Sequence, residues 1–299
     1  MDINLKIYLK EKQILIDKAL DFHLPPQDKY PPLIHKAMRY SIFAGGKRLR
    51  PVLCMAAAEA MGGEAEKLLP VACALEMIHT YSLIHDDLPA MDDDTYRRGK
   101  LTNHKVFGEG AAILAGDALL TIAFETLAEF GLTLKSVQRR KLISVVLDIS
   151  KAAGSLGMIG GQIADLGSEG VVIDPDELKY IHMQKTGALF KAAIRAGAIL
   201  SGASAKELKA ITIYAENFGL AFQITDDILD IVGDSTKTGK STGSDVRNKK
   251  ATYPSLYGLE QSQQMAAKAV GSAIEALGEM PGDIEALKAL AQYLLVRES

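Results

Sequence analysis

The segment Ser82-Leu-Ile-His-Asp-Asp-Leu-Pro-Ala-Met-Asp-Asp-Asp94 constrains the fold most, because it sets Asp86, Asp87, Asp92, Asp93 and Asp94 into an otherwise apolar stretch. Two like unit charges about 4 Å apart repel by about 4 kcal/mol at an effective dielectric near 20, so such a cluster needs cations or full hydration. Leu75, His79, Ser82 and Asp86 recur at the three-to-four spacing of one helix face, which points to a core-facing stripe. Hard divalent cations take oxygen ligands, and Mg2+ combines one or two carboxylates with water and substrate phosphate oxygens. Asp86 and Asp92 suit that role. Pro89 has no N–H and its ring clashes with the carbonyl four residues back, so the helix is expected to end near Leu88 and the chain to bring Asp92 back beside Asp86.

A second acidic group lies far along the chain. Ile211, Tyr214, Ala215, Phe218 and Phe222 mark a buried helix face, and stepping on by four reaches Asp226 and Asp230, which with Asp227 form Asp-Asp-Ile-Leu-Asp. Those carboxylates are expected to point inward, where unpaired charge is costly. One such motif alone reads as a solvated face or a helix cap. Two facing each other across a bundle cavity would hold several Mg2+ ions, and through them a polyanion such as a diphosphate.

Basic residues gather in the same places. Lys47 and Arg50 follow Gly45 and Gly46, and Arg97 and Arg98 follow the first acidic cluster. Glycine allows the close backbone approach an anion site needs, and arginine offers a planar donor fork. His79, Lys185 beside Thr186 and Gly187, and Lys240 are further cationic candidates.

The rest of the chain reads as helix. Of its 299 residues 48% are hydrophobic, enough for a sizeable core, and aromatic residues are only 6%. Helical stretches are expected at 33–43, 52–61, 67–88, 110–130, 135–153, 176–200, 205–232, 261–277 and 282–296, after an amphipathic helix within residues 1–24. Strand signals are almost absent, and no linker, solenoid repeat or low-complexity tract divides the chain. The expected architecture is a single all-α domain over residues 1–299, a bundle of ten or more helices.

A net charge of −3 gives no global reason to expect nucleic acid or an anionic membrane surface as partner. Cys54 and Cys73 have no partner at metal-ligand spacing and read as reduced core thiols. With neither a basic, apolar leader nor an unbroken apolar run of about 18 residues, a cytoplasmic protein without membrane insertion is expected.

The sequence resembles the trans-isoprenyl diphosphate synthases, and among them the bacterial farnesyl diphosphate synthases most. The resemblance covers roughly residues 35–255. It rests on Gly45-Gly-Lys-Arg-Leu-Arg-Pro51, Asp86-Asp-x4-Asp92 with Arg97-Arg-Gly99, Gly160-Gly-Gln162, Lys185-Thr-Gly187, Phe222-Gln-Ile-Thr-Asp-Asp-Ile-Leu-Asp230, and Lys240 with Thr252-Tyr-Pro254. It implies an all-α bundle of the isoprenoid synthase type around a deep central cavity, a homodimer, whose two aspartate motifs bind Mg2+ from opposite walls, three ions by analogy, with Mn2+ as a substitute. Asp86, Asp92 and Asp226 would be direct ligands, supported by Asp87 and Asp230. Arg97, Lys185 and Lys240 would grip the allylic diphosphate, and Lys47, Arg50, His79 and Arg98 isopentenyl diphosphate. Thr186 and Gln223 would face the allylic cation. Tyr81, with Ser82 beside it, would form a floor that stops growth at fifteen carbons, giving farnesyl diphosphate; without such a floor the product would be geranylgeranyl diphosphate. Arg297 could help close the site.

Other readings fit less well. Gly233 to Ser241 has one residue too many for a phosphate-binding P-loop and is expected to be a loop over the diphosphate. Gly154, Gly157, Gly160 and Gly161 imitate a dinucleotide fingerprint, but close helix packing explains them better. Glu76-x-x-His79 matches a di-iron bundle motif that needs a second copy, and none exists. A terpene cyclase would replace the second acidic motif, and a non-catalytic subunit would have degraded both.

Overall fold

In the computed structural model, residues 3–168, 170–171, 173–232, 251–278 and 280–297 are described. Asn4 caps the first helix, α1 (Leu5–His23), by accepting from the Ile7 N–H at 3.2 Å. Pro31 and Pro32 then start α2 (Pro32–Ile42), the proline sitting where a helix leaves its N–H unused anyway. After the glycine turn come α3 (Leu49–Ala60), a 3-10 turn (Ala65–Leu68) and α4 (Leu69–Asp86). Both helices are apolar nearly all round, as a helix must be when neighbours cover every face.

Beyond α4 a two-residue hairpin pairs β1 (Tyr96–Arg97) with β2 (Lys100–Leu101). Its central residues, Arg98 and Gly99, have φ of 52° and 73°, the left-handed pair that a tight hairpin requires. The chain continues as α5 (Asn103–Phe107), α6 (Glu109–Thr133), α7 (Ser136–Ala153), α8 (Met158–Gly167) and α9 (Pro175–His182). A π-helical turn (Met183–Gly187) leads into α10 (Ala188–Leu200), followed by α11 (Ala205–Val232). Last come α12 (Tyr253–Tyr257), closed by a Thr252–Ser255 capping box, α13 (Leu259–Ala276) and α14 (Glu285–Val296).

Small residues let the central helices approach. A methyl group at Gly197 of α10 would overlap the Cys54 carbonyl of α3, so the contact depends on its absence. One large apolar cluster draws side chains from α1 through α14, among them Ile16, Met38, Leu53, Leu75, Leu119, Phe190, Phe218 and Leu287. A second, smaller cluster joins Ile173, Leu178, Ile181, Ile224, Ile228, Tyr253 and Ala266 at the C-terminal end of α11.

The all-α expectation holds, with the hairpin as an addition. The stretch expected as one helix over 176–200 is interrupted by the π turn, and α8 forms where glycines left no helix signal. Although the chain lacks an unbroken apolar run, Ala65–Asp86, Glu109–Thr133 and Ser136–Gly167 are long and apolar enough to cross a membrane by length and composition alone. The first is 67% buried inside the fold and the others 39% each, so α6 and α7 carry exposed apolar side chains such as Leu114, Leu132, Val137 and Ile143.

Candidate active site

The C-terminal end of α4 supplies one wall of the site. The helix stops at Asp86, and the following turn folds back so that the Asp92 N–H donates to the Asp86 carbonyl at 2.9 Å. Burial pushes the Asp86 carboxyl up to about 6; Lys185 opposes this, and the charge of Asp92 adds to it. Asp87 is turned away. It is 3% exposed and accepts from Arg97 at 2.6 Å, with Asp94 3.5 Å from the same guanidinium. Arg97 stays charged because the hydrogen bond and charge of Asp87 more than offset its burial. The hairpin turn sends the next residue the opposite way, and Arg98 donates to the Gly45 carbonyl.

The glycine turn before α3 carries the other basic residues. Gly45 and Gly46 have φ of 102° and 123°, open only to glycine, and a side chain at Gly46 would overlap the Arg98 guanidinium. Lys47 reaches the Tyr293 hydroxyl at 3.3 Å, and Arg50 lies over the Phe190 ring at 4.4 Å. Burial and the nearby Arg98, partly countered by Glu76, bring the Arg50 guanidinium down to about 10. His79 is held well below its ordinary value by burial and by Arg50, Arg98, Arg97 and Arg48 around it. The expectation of a cationic His79 is therefore corrected: its imidazole is neutral here, because adding a proton would bury another positive charge among arginines.

The π turn presents Lys185 and Thr186. Single π turns widen a helix by one residue and recur at functional sites. This one is seated on Gly161, where a methyl group would overlap the Lys185 backbone, which is why Gly160-Gly161-Gln162 packs so closely. Lys185 pairs with Asp165 at 2.6 Å, a partner the sequence reading missed, as the apolar setting of Asp165 carried no motif.

These walls enclose a cavity of about 580 Å3. Arg50, His79, Asp86, Lys185, Thr186 and Gln162 meet there, and Tyr81, Ser82, Ile113, Met158, Ile159 and Ile163 line it with Leu88 and Leu166. Tyr81 is 6% exposed, and its ring meets His85 edge-on at 5.7 Å. Lys47, Asp87, Asp92, Arg97, Arg98, Gln223, Asp226 and Asp230 do not line this cavity. Lys240 and the loop expected at 233–241 fall outside the described residues.

On the second acidic motif the periodicity reading needs correction. Asp226 is not buried: its side chain is 59% exposed, and Arg297 pairs with it at 3.1 Å while lying over the Phe222 ring at 4.2 Å. The buried acid is Asp227, which accepts from the Tyr253 N–H at 2.9 Å and lies 3.8 Å from His182. Toward its end α11 turns a new face inward, with Ile224 and Ile228 joining the second cluster.

The donors suit Mg2+. Asp86 is a buried carboxyl whose neighbouring acids disfavour charge, so a hard cation would stabilise its ionised form. Among the described residues no three His, Cys, Asp or Glu side chains converge on one point, so oxygens of a substrate diphosphate would have to complete the ion's shell.

Comparison with known proteins agrees with the fold. The polyprenyl synthetase family profile matches residues 31–293. A dimethylallyltranstransferase from Fischerella ambigua (strain UTEX 1903) is 48% identical over 98% of this chain and 84% of its own. A geranylgeranyl diphosphate synthase from Cyanophora paradoxa is 46% identical over 100% of this chain and 98% of its own. Plant relatives at 44–46% identity also carry geranylgeranyl names. An apo FPP/GFPP synthase from Zymomonas mobilis superposes with a TM-score of 0.86 at 36% identity, covering 99% of this chain and 100% of its own.

Proposed function

We propose that this chain, which belongs to the polyprenyl synthetase family, adds isopentenyl diphosphate to allylic diphosphates and carries elongation to the twenty-carbon geranylgeranyl diphosphate. The twenty-carbon end point rests on the names of the relatives and takes the place of the farnesyl product expected from Tyr81. One observation carries the elongation chemistry: the cavity joins Arg50, Asp86, Lys185 and Thr186 to an apolar lining of Ile113, Met158, Ile159 and Ile163. A diphosphate needs the first set and a growing hydrocarbon the second.

The chain's residues divide the work. Arg50 and His79, with Lys47 and Arg98 behind them, hold isopentenyl diphosphate, His79 as a neutral hydrogen-bonding group. Lys185 and Arg97 take the allylic diphosphate as its carbon–oxygen bond breaks. Thr186 faces the resulting allylic cation, and the apolar lining keeps water from it; Gln223, outside that lining, would reach the cation only by turning toward the cavity. The alkene of isopentenyl diphosphate attacks, and the proton then lost goes to the departing pyrophosphate. Mg2+ held by Asp86, Asp92 and Asp226 would neutralise diphosphate charge as a Lewis acid.

Farnesyl diphosphate remains the second reading because Tyr81 lines the cavity one helical turn and more from Asp86, roughly 7–8 Å along the axis. Incubation with Mg2+, isopentenyl diphosphate and geranyl diphosphate, followed by product sizing, tests both. A dominant twenty-carbon diphosphate supports the proposal. A dominant fifteen-carbon product replaces the end point, and no elongation removes the function.

A homodimer in a reducing, aqueous compartment such as the cytoplasm belongs to the same proposal. The exposed apolar side chains of α6 and α7 support the first part, and the buried free thiols of Cys54 and Cys73 the second.

A further inference from the structure

The Glu76-x-x-His79 motif has one half without a role so far. Glu76 is 1% exposed inside α4, one turn before His79, and accepts from the Arg48 guanidinium at 2.8 Å. Arg48 is itself 2% exposed and spans three elements: it donates to Asp17 of α1 at 2.8 Å, to the Ile42 carbonyl ending α2 at 2.6 Å, and to Glu76.

The backbone helps explain why Arg48 goes to Asp17 and Glu76 while Lys47 and Arg50 go elsewhere. Its φ of 53° is left-handed, uncommon for a residue with a side chain, so the chain reverses between Lys47 and Arg50. Lys47 reaches toward Tyr293, and Arg50 lies over Phe190 in the cavity wall. The turn is tied at two more points: Gln13 donates to the Gly46 carbonyl at 2.9 Å, and Arg98 to that of Gly45. Without Glu76 its one remaining carboxylate, Asp17, lies toward the surface, so the guanidinium would be drawn toward α1, and the turn with it, away from its place beside Arg50 and Arg98.

We propose that Glu76 is a positioning residue for isopentenyl diphosphate: through Arg48 it fixes the Gly45–Arg50 turn and so sets Lys47, Arg50 and Arg98 for one diphosphate group. The inference rests on the elongation reading and its assignment of those side chains. The allylic diphosphate is assigned to Arg97 and Lys185, which have anchors of their own in Asp87 and Asp165. Loss of Glu76 therefore acts on one substrate only.

The test measures steady-state constants for both substrates in wild type, Glu76→Gln, and the paired variant Arg48→Met/Glu76→Leu. Glu76→Gln removes the fully buried one of the two carboxylates paired with Arg48 and leaves it only the partly exposed Asp17, so it is prone to destabilise the fold, whereas the paired variant removes both buried charges at similar volume. The expected result is a KM for isopentenyl diphosphate raised roughly tenfold or more in every variant that folds. The KM for geranyl diphosphate and kcat at saturation should stay within about twofold. A paired variant that folds with wild-type KM for isopentenyl diphosphate overturns the positioning role and leaves Glu76 a stability residue. Equal losses for both substrates overturn it too. Failure of the elongation reading is a separate result, since the wild-type enzyme would then turn over neither substrate.

Discussion

The His85 imidazole occupies the space that a side chain at Gly116 would need: a methyl group on that glycine of α6 would overlap the ring. His85 also bonds the Ile113 carbonyl at 3.0 Å through Nε2 and meets the Tyr81 ring edge-on. Gly116, His85 and Tyr81 thus form a stack across one side of the cavity. Gly116→Ala should force the imidazole toward Tyr81 and narrow the space below Asp86. Product sizing should show a shift to shorter chains. The change in stability should stay below about 2 kcal/mol, since overpacking costs about 1–3 kcal/mol while replacing a helical glycine returns about 1 kcal/mol. An unchanged product pattern would mean that the ring moves outward instead.

Tyr81 contributes bulk and no structural hydrogen bond: its hydroxyl has no partner among the described residues. Tyr81→Ala should therefore lengthen the product by one or more five-carbon units relative to wild type, whichever length that is. Some stability is lost, about 2–4 kcal/mol as for other large-to-small core changes. Chromatography of the dephosphorylated products checks the first and a urea titration the second. A product of unaltered length would place the floor elsewhere, on Ile113, Ile159 or Ile163.

Asp86 sits where function and stability oppose each other. Its carboxyl is pushed up to about 6 by burial, with Asp92 and Asp87 disfavouring its charge, so the folded protein holds an acid that its surroundings resist. Asp86→Ala should reduce kcat roughly 10²-fold or more through loss of diphosphate neutralisation. It should leave Tm unchanged or raised, because the repulsion disappears with the group. Chelation with EDTA should abolish turnover in wild type and Mg2+ restore it. A variant with lower Tm and normal activity would contradict both roles.

Much of this architecture is legible in the sequence because helix periodicity survives burial. The stretches read as 205–232 and 135–153 return as Ala205–Val232 and Ser136–Ala153. The acids at 86–94 stand out against apolar neighbours, and Pro89 announces the turn. What escaped has physical reasons. Two-residue strands at 96–97 and 100–101 are too short for alternation to register. The π turn at 183–187 keeps an apolar pattern while adding one residue, so it is invisible to a 3.6-residue period. Stepping by four along α11 assumes one constant buried face, but the second cluster captures Ile224 and Ile228, buries Asp227 and leaves Asp226 to Arg297. Long-range partners such as Glu76 with Arg48, or Asp165 with Lys185, have no local signature at all.

His182 gives the fold a pH dependence whose sign can be worked out. Burial lowers it to about 4; Asp165 and Asp226 pull it upward, Lys185 adds to the lowering, Asp227 lies 3.8 Å from its Nε2, and Tyr253 packs on its ring. In the unfolded chain an ordinary histidine titrates near 6.5. Above that value both states are neutral and the stability is whole. Between pH 6.5 and 4 the unfolded state binds a proton that the native state refuses, so stability falls as pH falls, by about 3 kcal/mol at pH 4 from this residue. His79, also held low, acts in the same direction. Urea midpoints at pH 7.5 and 4.5 should drop accordingly, and His182→Asn should remove a measurable part of the drop while costing stability at pH 7.5. An identical pH slope in the variant would show that His182 takes up its proton as readily in the folded protein as in the unfolded chain, the carboxylates of Asp165, Asp226 and Asp227 offsetting the cost of burial.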